Sequence, residues 1–354
     1  MKTVLIVDGL NYFIRFFMVS ETMNSNGEMV GGALGFVGGL GSVIKQLKPN
    51  AVVVVWEKGG PSSRRKAIYS EYKANRAASG NNPAMAEMSH RSDGKFRPAV
   101  DKTNKVFQLQ LCTKLLKCLP VCQIYVDNTE ADDVIAYLTT QRFGKREEPL
   151  RRIIMSSDKD FYQLLEDENV RIYDPARKIL IDQEYVEKNF GVSPRNITLA
   201  RSVIGDVSDN LNGVDGIGFK TLSKRLPELS AKDVDLDTDW LEGRCTELLS
   251  EIAAVKPKKK APACFADIIE NIDVVKRNWR LMYLGGTNAL AASQISQVDG
   301  KLDEWNADPD AQRYNKLLFM QELLRANVPF TTTLETCLDS MLTLARNTKT
   351  FIYE

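Results

Sequence analysis

Five short runs constrain the fold most: "TVLIV" at 3–7, "AVVVVW" at 51–56, "CQIYV" at 122–126, "RIIMS" at 152–156 and "VRIYD" at 170–174. Each is rich in Val or Ile and bounded by polar or turn residues, as strands buried on both faces of a parallel sheet are. Amphipathic stretches at 33–47, 103–118, 131–142 and 160–166 fill the gaps. This alternation predicts an α/β fold with a mainly parallel central sheet flanked by helices. After about residue 190 the strand pattern stops. "SPRNITLARSVIGD", "DWLEGRCTELLSEIAAV", "RYNKLLFMQELLRA" and "TLETCLDSMLTLARN" carry apolar residues at i, i+3 and i+4, so the remainder is expected to be helical. The expected organisation is an α/β domain over 1–190 and a helical domain over 191–354. "KPKKKAPA" at 256–263 reads as a surface linker, either solvated or in reach of phosphate.

Composition excludes several chemistries. His90 is the one histidine among 354 residues, and its polar surroundings, "AEMSHRSDGK", suit a solvated loop. A Ser/His/Asp or Cys/His centre would rest on it alone. The six cysteines, Cys112, Cys118, Cys122, Cys245, Cys264 and Cys337, form no CxxC pair. They suit reduced, buried thiols better than disulfides or zinc. No apolar run approaches the roughly 18 residues of a membrane span, so no membrane contact is expected. The N-terminal "MKTVLIVDGL" is broken by Asp8 and lacks a small-residue cleavage site, so it reads as a strand of an intracellular protein. Net charge is +1, yet Lys58 to Lys105 holds eleven basic residues against four acidic ones. That local excess points to a polyanionic partner.

Acids collect at the strand ends. Asp8 follows the first strand and Glu57 the second; Glu130, Asp132 and Asp133 follow the third by a short turn; Asp158 and Asp160 follow the fourth. In an open parallel sheet, ligands bind beyond the carboxyl ends of the strands. Taken singly, each acid could be a turn or cap residue. Taken together they need cations, since two unit charges 4 Å apart repel by about 4 kcal/mol at an effective dielectric near 20. Oxygen ligands alone favour Mg²⁺ or Mn²⁺ over zinc. Two such ions would use this many acids, one activating water and the other stabilising a leaving oxygen.

Five segments now form a recognisable series: "VLIVDGLN", "YSEYKANR", "TEADDVIA", "SSDKDFYQLL" and "VIGDVSDNLNGVDGIGFKTLSKRL". In order and spacing they resemble the 5′ nuclease family of flap endonucleases, polymerase-linked 5′-3′ exonucleases and phage ribonucleases H, over roughly residues 1–226. The helical part looks most similar to the ribonuclease H of T4-like phages. The resemblance implies a PIN-like fold and two divalent ions, with Asp8, Glu130 and Asp132 serving the first, and Asp133, Asp158, Asp160, Asp206 and Asp209 the second. Asp206 and Asp209, spaced i, i+3, would be aimed at one place by a helical turn. Glu57 stands where the family usually has Asp, so it is expected to line the site with an altered reach.

The resemblance also implies that Lys73 and Arg76 contact the scissile phosphate, with Asp132 and Asp158 central to catalysis. Tyr69, Tyr72, Lys73 and Arg76 have helical spacing, which would aim them at one region. Arg15 and Tyr72 join Lys73 and Arg76 as expected nucleic-acid contacts. An arch or clamp for single strands is expected at about 73–105. "GVDGIGFKTLSKRL" would supply a helical hairpin that grips duplex through Gly213, Gly216, Gly218, Lys220 and Thr221, with K⁺. Expected partners are DNA and RNA–DNA hybrids with a 5′ single-stranded end or flap. A single-strand binding protein or sliding clamp could dock on the tail "NTKTFIYE". A monomer acting in a bacterial cytoplasm is expected.

Overall fold

The computed structural model describes residues 1–58, 60, 62–75, 102–145, 147–255, 262–285, 288–329 and 332–348. The five expected strands form: β1 (Lys2–Asp8), β2 (Ala51–Lys58), β3 (Cys122–Asp127), β4 (Leu150–Met155) and β5 (Val170–Asp174). A sixth, β6 (Ile179–Ile181), joins antiparallel to β5, giving the order β3-β2-β1-β4-β5-β6. The other pairings are parallel. β6 escaped the sequence reading because three residues show no alternation.

Alternate residues of each inner strand face different cores. Val4, Ile6, Val53, Val55, Ile124 and Ile154 face one. Leu5, Val7, Val52, Val54, Ile153 and Met155 face the other. Double burial is why these strands read as unbroken apolar runs. The second core contains Phe36, wholly buried, with its ring 5.5 Å from that of Trp56 and 5.0 Å from that of Tyr12. Phe36→Ala is expected to cost about 3–5 kcal/mol in guanidinium unfolding. A loss below about 1 kcal/mol would mean that the neighbouring rings collapse into the space.

Helices dominate after residue 190, as expected, although a two-stranded ribbon, β7 (Gly205–Asp206) and β8 (Leu211–Asn212), interrupts them. The helical part shares the cores of the sheet. Val298, Leu302 and Trp305 belong to the first core, and Phe319, Leu323 and Leu344 to the second. No helix among the described residues is long and apolar enough to cross a membrane.

Candidate active site

Two of the strand-end acids, Asp8 and Asp158, are held by local caps. Asp8 ends β1 and caps the helix Gly9–Phe17, accepting from the Asn11 N–H at 3.1 Å; its other oxygen lies 3.1 Å from Ser156 Oγ. Gly9 is required there, because a Cβ would stand 2.7 Å from the Val55 carbonyl oxygen. Asp158 caps the 3₁₀ turn Lys159–Glu166 by accepting from the Asp160 N–H at 2.9 Å. Asn11 crosses from the β1 end to the β4 end, where its Oδ1 lies 3.1 Å from Ser157 Oγ. Glu130 precedes the helix Ala131–Tyr137 but makes no cap bond. Its carboxylate instead meets Ser62 Oγ at 2.6 Å, Lys73 Nζ at 3.0 Å and the Arg65 guanidinium at 3.2 Å. Cap and site roles are thus combined in the same side chains.

A cleft of about 750 Å³ opens over these strand ends, lined by Asp8, Glu57, Asp132 and Asp158 and by Arg15, Lys66, Lys73 and Lys105. Burial pushes the Asp8 carboxyl up to about 7, and the charges of Glu57 and Asp158 add to the rise. Asp160 is also raised to about 7, by burial against the opposing pull of Arg201 and with help from Asp158, Asp209 and Asp206. Asp132 is raised well above the carboxylate range by burial, then by Asp158 and Asp8. Glu130 goes the other way, since Arg65 and Lys73 outweigh the burial that opposes them. Lys105 is lowered by burial, with Glu57 opposing. The middle of the cluster therefore holds acids short of positive charge.

The residues between Tyr69 and Arg76 depart from the helical expectation. The helix Ser63–Ile68 stops at an extended Tyr69, and the chain turns so that Lys73 takes φ +55°. Such a backbone is unfavourable for lysine and is over-determined here by the Lys73 N–H bond to the Asp209 carbonyl, 2.9 Å. The turn still brings the Tyr72 hydroxyl to 3.3 Å from Glu130 and 3.1 Å from Asp209. Arg76, with residues 76–101 of the arch expected at about 73–105, lies outside the described residues.

Asp206 and Asp209 also diverge from expectation. Asp206 caps a 3₁₀ turn, Val207–Asp209, and so the pair does not share a helix face. Asp206 turns to Arg201, whose Nη2 lies 2.8 Å from both Asp206 and Asp160, while Asp209 turns to Tyr72. Asp133, expected among the ligands, has both oxygens on Arg65 at 2.8 and 2.9 Å. Arg65, Arg201, Ser62 and Ser156 were not singled out from sequence. Arg65 sits in "SSRRKA" at helical spacing from nothing acidic, and its partners come from two helices far along the chain, Ala131–Tyr137 and Ile272–Met282. Arg201 lies five residues before Asp206, a weak local signal.

At the hairpin, Gly213 permits close approach, since a Cβ there would stand 2.1 Å from the Ile204 carbonyl oxygen. Gly216 takes φ +73°, and Gly218 leads into the short helix Phe219–Arg225, which carries Lys220 and Thr221.

Residues 3–191 match the family described as 5′-3′ exonuclease, N-terminal resolvase-like domain. A 5′-3′ exonuclease of Aquifex aeolicus is 33% identical over 222 residues, 62% of this chain and 68% of that protein. The thermostable DNA polymerase I of Thermus thermophilus is 32% identical over 256 residues, which are 72% of this chain but 26% of the polymerase. The likeness thus reaches about a quarter of the polymerase. Among solved structures, the D15 protein of T5 co-crystallised with metal ions aligns with TM-score 0.56 at 19% identity, over 92% of this chain and 99% of that one. This match shows the shared fold. With a matching family over more than half its length and a relative of one-third identity, the chain belongs to the 5′-3′ exonuclease family of nucleases.

Proposed function

We propose that this chain is a structure-specific 5′ nuclease that hydrolyses phosphodiesters near a 5′ end with two divalent ions, Mg²⁺ or Mn²⁺, removing RNA primers and 5′ flaps during replication. The observation that carries this reading is one cleft in which Asp8, Glu57, Asp132 and Asp158 stand beside Arg15, Lys66, Lys73 and Lys105. The donor set suits a hard cation, being oxygen only. Buried Asp8 and half-buried Asp132 and Asp160 are acids held above their usual range, a condition that a bound cation relieves. Among the described residues no three acids yet group closely enough to hold an ion, so binding would draw neighbours together against their repulsion. When bound, the ions supply a polarised water and neutralise charge on the phosphate and leaving oxygen.

The protein's own groups do the rest. Lys73, braced on Glu130 at 3.0 Å, offers a fixed cation to the phosphate, where preorganised charge acts strongly. Arg15, Lys66 and Lys105 line the approach and would hold flanking phosphates. Asn11 keeps the two central strand ends at fixed spacing. The hairpin with Gly213, Gly216, Gly218, Lys220 and Thr221 would hold duplex backbone, aided by K⁺, without reading bases. The same reading would put the protein at work in a bacterial cytoplasm, with a clamp or single-strand binding protein as proposed neighbours.

The test is cleavage of a 5′-labelled flap duplex and a matched RNA–DNA hybrid, with Mg²⁺ and with EDTA. Short 5′ products with Mg²⁺ and none with EDTA are expected, and the two rates rank the substrates. Duplex binding without cutting would leave a silent branched-DNA-binding module as the better reading.

A further inference from the structure

The segment Ile272–Met282 and the residues just after it run behind the acid cluster and catch three of its elements. Asn278, wholly buried, donates to the Ser202 and Asn212 carbonyls at 3.0 and 2.8 Å, bracketing the ribbon that bears Asp206 and Asp209. Gln163 donates to the Met282 carbonyl at 3.1 Å and to that of Asp160 at 2.7 Å, and accepts from the Leu284 N–H at 2.9 Å. The third tie is Arg65, whose Nε donates to the Leu281 carbonyl at 2.9 Å while its other two nitrogens hold Asp133.

Arg65 is only 4% exposed, and each of its three nitrogens has a partner of good geometry. A buried guanidinium in that state gives up a bidentate carboxylate at a cost, since its charge would then rest on the longer contact to Glu130 at 3.2 Å. Asp132, one residue earlier, differs sharply: it lines the cleft and takes part in no hydrogen bond among the described residues. The helical spacing of neighbours, about 100° apart, sends the two side chains to different sides.

We propose that Asp133 is the anchor of Arg65, that the pair is a structural tie between the acid cluster and the helix Ile272–Met282, and that Asp133 stands outside the metal-ligand set. The inference rests on the divalent-ion reading above, and the test separates the two.

Mn²⁺ is titrated calorimetrically into the substrate-free full chain, and thermal melting is followed in parallel, for the native protein, Asp132→Asn, Asp133→Leu, Arg65→Met and the double variant Arg65→Met/Asp133→Leu. Native protein that takes up no Mn²⁺ overturns the divalent-ion reading itself. With native uptake established, Asp132→Asn is expected to weaken binding at least about tenfold, while the double variant keeps the native stoichiometry with Kd within about threefold. The double variant is also expected to melt above either single variant, because removing both charges leaves neither unpaired. A double variant that loses an equivalent of Mn²⁺, binds about tenfold more weakly or melts no higher than the singles overturns the proposal. So does a double variant that fails to fold, since the pair is replaced by apolar groups of similar size while Glu130, the guanidinium's other acid, keeps Lys73 and Ser62.

Discussion

Asp132→Asn is expected to slow Mg²⁺-dependent cleavage of a 5′-labelled flap duplex by about a thousandfold or more, beyond the loss usual for a single oxyanion-hole donor. The carboxamide keeps the shape of the side chain and removes its charge. Asp132 lies in the first turn of the helix Ala131–Tyr137, on the cleft side, where removal from water first, and then the charges of Asp158 and Asp8, raise its proton affinity. Those same fields make it a strong attractor for a divalent ion, so most of its contribution disappears with the charge. Duplex affinity, measured separately with Ca²⁺ present, should change by less than about threefold, because backbone contacts spread over many cations dominate such binding. The expected signature is therefore a fall in single-turnover rate at nearly constant binding. A variant that cuts within about tenfold of native would move the catalytic role away from this acid.

Asp132 could be placed at the site from sequence because strand-end position is a property of the backbone, whereas its central catalytic role was implied by the resemblance to 5′ nucleases. Once Val and Ile runs mark the strands, the residues immediately beyond them must lie on one edge, and Asp8, Glu57, Asp132 and Asp158 do line one cleft. Turn geometry was less legible. Lys73 reaches the cluster through a positive φ that no periodicity signals, and its region reads as a longer helix than the six residues formed. Asp206 and Asp209 have helical spacing, yet Asp206 is an extended cap outside the 3₁₀ turn that holds Asp209, and the two turn to different partners.

Least legible were the partners that come from far along the chain. Arg65 meets the Leu281 carbonyl across 216 residues and Asp133 across 68, and Arg201 meets Asp160 across 41. Nothing in a local pattern distinguishes these arginines from the basic residues that line the cleft. Asp174 shows the converse: it ends β5 as the other acids end their strands, yet it is bound to its own turn through Ala176 and Arg177 and lies apart from the cluster. An acid at a strand end is thus a candidate whose role is decided by which donors its own turn supplies.

The same scarcity of donors leads to an unusual pH response: without metal, the protein is expected to lose stability as pH rises from about 5 to about 8. Asp8 and Asp160, ordinarily near 3.8, are each raised to about 7 in the fold. In the unfolded chain both are ionised above the lower value; in the folded chain they keep protons until near the higher one. The folded state binds more protons throughout that window, so raising pH favours unfolding across it. Each pKa unit is worth about 1.4 kcal/mol, which makes the combined loss several kcal/mol at most, since the acids share their mutual repulsion. Glu130, held low against its burial by Arg65 and Lys73, and Asp206, held low against its burial by the Ser208 hydroxyl and then Arg201, act with the opposite sign, but only where pH falls below the usual carboxylate range. A divalent ion that binds only the folded state reverses the loss, by about 2.7 kcal/mol at a hundredfold excess over Kd. Calorimetric melting in EDTA should therefore give a lower midpoint at about pH 8 than at about pH 5.5, with millimolar Mg²⁺ restoring it mainly at the higher pH. A midpoint that instead climbs with pH in EDTA would mean that the cluster is already ionised and neutralised by the protein's own arginines and lysines, leaving little drive to take up an ion.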